Sequence, residues 1–195
     1  MENEVLQYLE QFVTLTEEEK QVISRNISIQ NFSKGTILVK EGDVADQSYF
    51  VIKGCIRQYY LSGIEEKTTH FYTEEQSTPT YSTKDKKVLA KHYLACTEDT
   101  TVAVCKAGDE MNIFQDNPKL ESLSRMIAEQ DVAESQEAFA NFITSSPEER
   151  YLDLLKNRPD LVQRVPQYQL ASYLGVTPES LSRIRKRLHR NAASS

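Results

Sequence analysis

The stretch QYQLASYLGVTPESLSRIRKRLHR (167–190) constrains this chain more than any other. Leu170, Ala171 and Leu174 make the apolar side of a short helix, and Gly175 behind them suits a left-handed C-cap. Thr177-Pro178-Glu179 then reads as N-cap, first helical residue and an acid that complements the helix macrodipole. Leu181, Ile184 and Leu188 give a second helix its buried stripe. A small residue at Ala171, a glycine four positions on, then Val176, Leu181 and Ile184 form the pattern of a helix-turn-helix. Facing away from the stripe are Glu179, Ser180, Ser182, Arg183, Lys186 and Arg187, with Thr177 at the turn. An acid, hydroxyls and arginines on one helix face are equipped for base edges and phosphates in a major groove. The basic run 183–190 alone is weak evidence, because Lys and Arg suit any helix C-terminus and a helical hairpin with a solvated charged face would carry them too. Turn chemistry and charge placement together favour double-stranded DNA.

The chain has 195 residues and a formal net charge of −6, which at first argues against a nucleic acid. The charge is unevenly placed. Residues 147–195 hold nine Lys/Arg against five Asp/Glu, so this segment carries +4 and the first 146 residues carry −10. An acidic body with a basic tail is two modules with different partners. With 39% apolar and 27% charged residues the composition is that of a globular protein. Folding at this length buries roughly 70% of the unfolded surface, so no disulfide or metal staple is needed. No run approaches the ~18 apolar residues of a membrane span. MENEVLQYLEQF carries acids where a signal peptide has a basic region, so a cytoplasmic protein without a membrane partner is expected. Cys55, Cys96 and Cys105 are too few and too spread for a disulfide framework. They read as packing residues, with a redox role as the alternative.

Ahead of the helix-turn-helix three textures follow one another. Residues 1–26 read as helical, with Val5, Leu6, Leu9, Phe12 and Val13 at helical spacing and a capping box at Thr16–Glu19. From Ile27 to Ala107 short β-branched and aromatic runs (TILVK, SYFVIKG, CIRQYYL, KTTHFY, TTVAVC) alternate with Gly35, Gly42, Gly54, Gly63 and Gly108. Strands so spaced suggest a sandwich or small barrel. The polar stretch 73–87 reads as a loop. Asn117-Pro118 opens a helix that can run to Ile143, roughly 40 Å long. That length exceeds what one small domain needs, so a homodimer is expected on a seam including Leu120, Leu123, Ile127 and Phe139. Packing on its own barrel is the alternative. Ser146-Pro147-Glu148-Glu149 is another capping box, beginning a helix that should end near Asn157, before Arg158-Pro159. The expected domains are 1–116, 117–145 and 146–195.

Nearly the whole chain resembles the cyclic-AMP receptor/fumarate-nitrate reductase regulator (Crp/Fnr) family, in particular the branch common in Bacteroidetes. The resemblance rests on FSKGTILVKEGD (32–43), SYFVIKG (48–54), SPEERYLDLL (146–155) and RVPQYQLASYLGVTPESLSRIRK (164–186). It implies an α+β fold: an N-terminal double-stranded, cyclic-nucleotide-binding-like β-roll, a long dimerisation helix and a C-terminal winged helix-turn-helix. It implies a bacterial transcription regulator, not an enzyme, binding near-palindromic DNA as a homodimer, with RNA polymerase and an unidentified small-molecule effector as further partners. By the same analogy Glu179 and Arg183 touch bases, and Ser180 and Ser182 lie at base edges or phosphate.

The departures from the family matter too. Members that bind cyclic AMP hold its phosphate with a Gly-Glu pair and an Arg-Ser/Thr-Ala run. Here those regions read FYTEEQ (71–76) and LAKHYLA (89–95), without the glycine and with Ala90 or Lys91 in place of the arginine. Lysine replaces a bidentate arginine poorly, so no response to cyclic AMP is expected. Phe71, Glu74, Lys91 and His92 are the candidate lining of any effector pocket. An iron–sulfur cluster needs four cysteines, and the chain has three, so no cofactor is expected. The rival reading from another class is a cupin-like metal enzyme using His70, Glu74, Glu75 and His92, but the two histidines lie 22 residues apart with no His-x-His pair. A regulator of the same fold without any effector is a third reading.

Overall fold

The computed structural model describes residues 2–80, 82, 86–114 and 117–193. Residues 81 and 83–85 of the polar stretch therefore lie outside the described residues. The chain runs α1 (Glu2–Glu10), α2 (Glu17–Asn26), β1 (Ile27–Phe32), β2 (Ile37–Val39), β3 (Gln47–Lys53), β4 (Ile56–Ser62), β5 (Glu65–Tyr72), β6 (Tyr93–Cys96) and β7 (Thr100–Lys106). There follow α3 (Ala107–Phe114), α4 (Pro118–Thr144), α5 (Pro147–Asn157), α6 (Pro159–Arg164), α7 (Gln167–Tyr173) and α8 (Pro178–Ala193). It divides into two compact units, 1–59 with 70–130 and 60–69 with 131–195.

The strands form two sheets, ordered β1-β7-β3 and β2-β6-β4-β5, of which residues 60–69 at the end of β4 and the start of β5 belong to the second unit. In β3 and β6 the period of two decides which side chains enter the core, Tyr49 and Val51 from one and Leu94 and Cys96 from the other. Tyr49 and Val51 stand opposite Val104 and Val102, and Ile56 and Gln58 opposite Cys96 and Leu94. Val39, Tyr49, Val51, Ile56, Tyr72, Leu94, Val102 and Val104 from both sheets join one apolar cluster. Val51, Ile56 and Val102 are wholly buried there. The polar ends of the cluster's tyrosines are satisfied: the Tyr72 hydroxyl donates to Gln58 Oε1 at 3.0 Å and the Tyr49 hydroxyl to Gln47 Oε1 at 3.1 Å. Gly54 turns the chain from β3 to β4 with φ +109°, and a Cβ there would lie 2.7 Å from the Thr100 Cα. No other residue fits that approach.

A second cluster joins Leu15, Ile23, Ile113 and Leu120, with Leu6, Leu9, Val13 and Cys105 packed against it. Glu19 ties this corner together. Its carboxylate accepts from the Thr16 N–H, completing the capping box, and from Asn117 Nδ2 at 3.1 Å. Asn117 in turn caps α4, its Oδ1 accepting from the Leu120 N–H. These bonds hold the Glu19 carboxyl down at about 2.

Three details differ from the sequence reading. Gly108, read as a turn marker, lies inside α3. Leu120 and Leu123, expected on a dimer seam, are buried at 3% and 6% exposure, Leu120 in the N-terminal cluster. The expected wing is missing among the described residues, where no strand follows β7. Between α5 and α7 the chain forms the short helix α6, with Pro159 at its first position and Asp160 in its first turn. Cys55 and Cys96 are buried, and burial pushes the Cys96 thiol up, which disfavours the reactive thiolate.

Candidate nucleic-acid interface

The second unit places α7 and α8 around a turn built from the residues that announced it. Gly175 sits at φ +69° and donates its N–H to the Ser172 carbonyl, while the Val176 N–H donates to the Ala171 carbonyl. This paired bonding is a Schellman motif. Leu161, Leu170, Ala171, Leu174 and Leu181 are buried beneath it, with Tyr151 and Leu154 of α5 and Ile184 of α8. Leu170, Ala171 and Leu174 of the first expected stripe and Leu181 and Ile184 of the second are thus in the core of this unit, while Leu188 is half-buried, and this fixes the opposite side of α8 outward.

Arg150 braces the same turn. Its Nε donates to the Leu174 carbonyl at 3.1 Å, and its Nη1 donates to the carbonyls of Phe142 (2.8 Å) and Ser145 (2.7 Å). The Phe142 ring lies against Gly175, so that a Cβ at 175 would approach its Cζ to 2.8 Å. Ser172 docks α7 on the edge strand β5: the Thr68 N–H donates to its Oγ at 2.9 Å, and its Oγ donates to the Glu66 carbonyl at 2.8 Å. Edge-strand groups that would otherwise stay open are covered.

On the outward side, Thr177, Ser180 and Arg183 form a chain of hydrogen bonds. The Ser180 N–H donates to Thr177 Oγ1 at 3.3 Å, and Ser180 Oγ accepts from Arg183 Nη2 at 3.1 Å. The Glu179 carboxyl is held below its ordinary value by its own backbone N–H, then by the Thr177 hydroxyl and the Arg183 charge. It is an anion at any physiological pH. Two adjoining shallow concavities run along α8, one lined by Pro178, Glu179, Ser182, Arg183 and Lys186, the other by Arg183, Lys186, Arg187, His189 and Arg190. Arg183 and Lys186 belong to both.

No protein-family model and no curated protein sequence matches the chain. Solved structures do. FixK2 from Bradyrhizobium japonicum superposes with a TM-score of 0.70 at 17% identity, over 85% of this chain and 86% of that one. The c-di-GMP responsive global regulator CLP of Xanthomonas campestris gives 0.69 at 15% identity, over 91% and 93%. A transcriptional regulator of the Crp/Fnr family from Eubacterium rectale gives 0.67 at 17% identity, over 91% and 85%. The chain has the Crp/Fnr fold.

Within that Crp/Fnr fold, the residues expected to meet DNA lie together: Thr177, Glu179, Arg183, Lys186 and Arg187 are exposed, and Ser180 and Ser182 half-buried, along the start and middle of α8. His189 and Arg190 line the same surface and were not among the residues assigned to DNA, although Arg190 ends the basic run and both continue the spacing of Ser182 and Lys186. Arg150 escaped it too, since its partner Leu174 is 24 residues away. The four candidate effector residues are split. Phe71 and His92 are buried, whereas Glu74 and Lys91 are exposed. Glu74 Oε1 accepts from the Gly54 N–H at 2.9 Å, a bond that secures the β3–β4 turn. Burial pushes the His92 imidazole down, favouring its neutral form. Among the described residues no three His, Cys, Asp or Glu side chains come together as metal ligands, and no helix is long and apolar enough to cross a membrane.

Proposed function

We propose that this protein is a sequence-specific DNA-binding transcription regulator that acts as a homodimer. The observation that carries the reading is the outward side of α8, where Glu179, Arg183, Lys186 and Arg187 are presented by a helix whose other side is the unit's core. An arginine can donate two bonds to a guanine and a glutamate can accept from a cytosine amino group, while Lys186 and Arg187 suit phosphates. The fold shared with known regulators supports the same conclusion. α4 supports the dimer: Val132, Phe139 and Ile143 are 57%, 67% and 64% exposed, and their spacing puts them on one stripe of the helix. A twofold pairing sets two recognition helices roughly 34 Å apart, one turn of B-DNA.

Cyclic AMP is not the effector in this reading. The arginine and glycine that hold its phosphate in the family are replaced, and the space between the sheets is filled by Val51, Ile56, Tyr72 and Val102. The test is selection of duplexes from a random-sequence pool by the purified full-length protein. The expected product is a near-palindrome with half-sites one turn apart. A pool that stays random after repeated rounds overturns the reading.

A further inference from the structure

Arg187 is not idle in the free chain. Its Nη2 donates to Glu148 Oε2, joining the basic concavity of α8 to the first turn of α5. Glu148 sits in the first turn of α5, where an acid suits the helix macrodipole, but its carboxylate is not part of the cap. The capping box that starts α5 is made by Ser146 and Glu149. The pair is open to water, with 51% of the Arg187 side chain and 32% of the Glu148 side chain exposed. An exposed ion pair of this kind is weak and is easily exchanged for another anion. A DNA phosphate offers the same chemistry as a carboxylate, namely charged oxygens for a guanidinium fork.

Resting on the DNA-binding reading, we propose that Glu148 is an internal stand-in for a DNA phosphate. It engages Arg187 in the free protein and is displaced when a duplex docks on α8. The exchange lowers the gain from the Arg187 contact, and the displaced carboxylate stays beside the phosphate backbone. Glu148 thus restrains binding to DNA of any sequence, which leaves a larger share of affinity to the base contacts of Arg183.

The experiment is titration of a fluorescently labelled mixed-sequence DNA duplex with the full-length protein at several salt concentrations. Glu148→Gln keeps the shape and the capping box but removes the charge. It is expected to bind roughly two- to fivefold tighter at low salt, the range spanned by an exposed ion pair. Its log affinity should also fall more steeply with log salt, by up to about one unit of slope. Glu41→Gln, which removes one acid from an exposed loop of the other unit, serves as the net-charge control and is expected to change little. In an Arg187→Ala background the gain from Glu148→Gln should vanish. Equal or weaker binding by Glu148→Gln overturns the proposal and makes Glu148 a support for Arg187, as does a gain of the same size in the Arg187→Ala background. If the wild-type protein binds no duplex at any salt, the DNA-binding reading falls with it; if the wild type binds and only the gain is missing, that reading stands.

Discussion

Arg150 lies over the ring of Phe142, its guanidinium carbon 4.4 Å from the centroid, and the same group donates to the carbonyl of Leu174 at the end of α7. One side chain therefore closes the last turn of α4 and braces the glycine turn that aims α8. Charge-assisted bonds to three carbonyls and the ring contact are lost together if the side chain is removed. Arg150→Ala should destabilise the second unit by about 2–4 kcal/mol, with Arg150→Lys recovering only part of it. Chemical denaturation followed by hydrogen exchange in α7 and α8 checks this. Unchanged protection there would remove the brace from the account.

Gly175 faces two constraints at once, a left-handed φ and the Phe142 ring. Gly175→Ala is expected to cost about 2–3 kcal/mol. Trimming the ring in Phe142→Ala should relieve the contact while leaving the backbone strain. The double variant should thus lose less than the sum of the two single ones, which thermal melting of all four proteins would reveal.

Glu19 predicts an acid sensitivity of the first unit. Its carboxyl lies at about 2 in the folded chain against an ordinary 4.5, chiefly because it accepts from the Thr16 N–H and Asn117. A depressed folded value stabilises above the unfolded one, and the contribution is lost as pH falls from 4.5 towards 2. Melting temperatures of the wild type should drop more steeply across that window than those of Glu19→Gln. Parallel curves would show that the network does not contribute.

The parts legible in sequence were those whose signal and partner lie within a few residues. Thr16 with Glu19, Ser146 with Glu149, Asn117 with Leu120 and the Gly175 turn are all bonded across five residues or fewer. Long-range placement was not legible in this way. Leu120 carries the same apolar signal as Phe139, yet one packs on Leu15 and Ile23 while the other stays 67% exposed. β6 is four residues long and follows a polar stretch, too short to show a period. Glu74 looked like a ligand because nothing local shows that the Gly54 N–H, 20 residues back, claims its carboxylate. At the interface, the exposed cations were readable from the position of the buried stripe; the Glu148 contact to Arg187, 39 residues away, was not.

The exposed stripe of α4 makes the dimer testable by charge. Phe139→Glu should weaken self-association by roughly tenfold or more, since it buries a carboxylate in an apolar seam. Sedimentation velocity at micromolar concentration should find a wild-type dimer and a monomeric variant. A monomeric wild type, with or without DNA, would contradict the pairing.

In the proposed DNA-binding reading α8 divides its work, with Arg183 reading bases and Lys186 holding phosphate. The direct measurement is titration of wild type, Arg183→Ala and Lys186→Ala with a selected duplex and with a mixed-sequence one at several salt concentrations. Arg183→Ala should lose about 1–3 kcal/mol on the selected duplex, much less on the mixed one, and relax preference at one base pair. Lys186→Ala should weaken both duplexes alike and lower the salt slope by about one. Equal losses for Arg183→Ala on both duplexes, with a changed base preference for Lys186→Ala, would contradict the assignment.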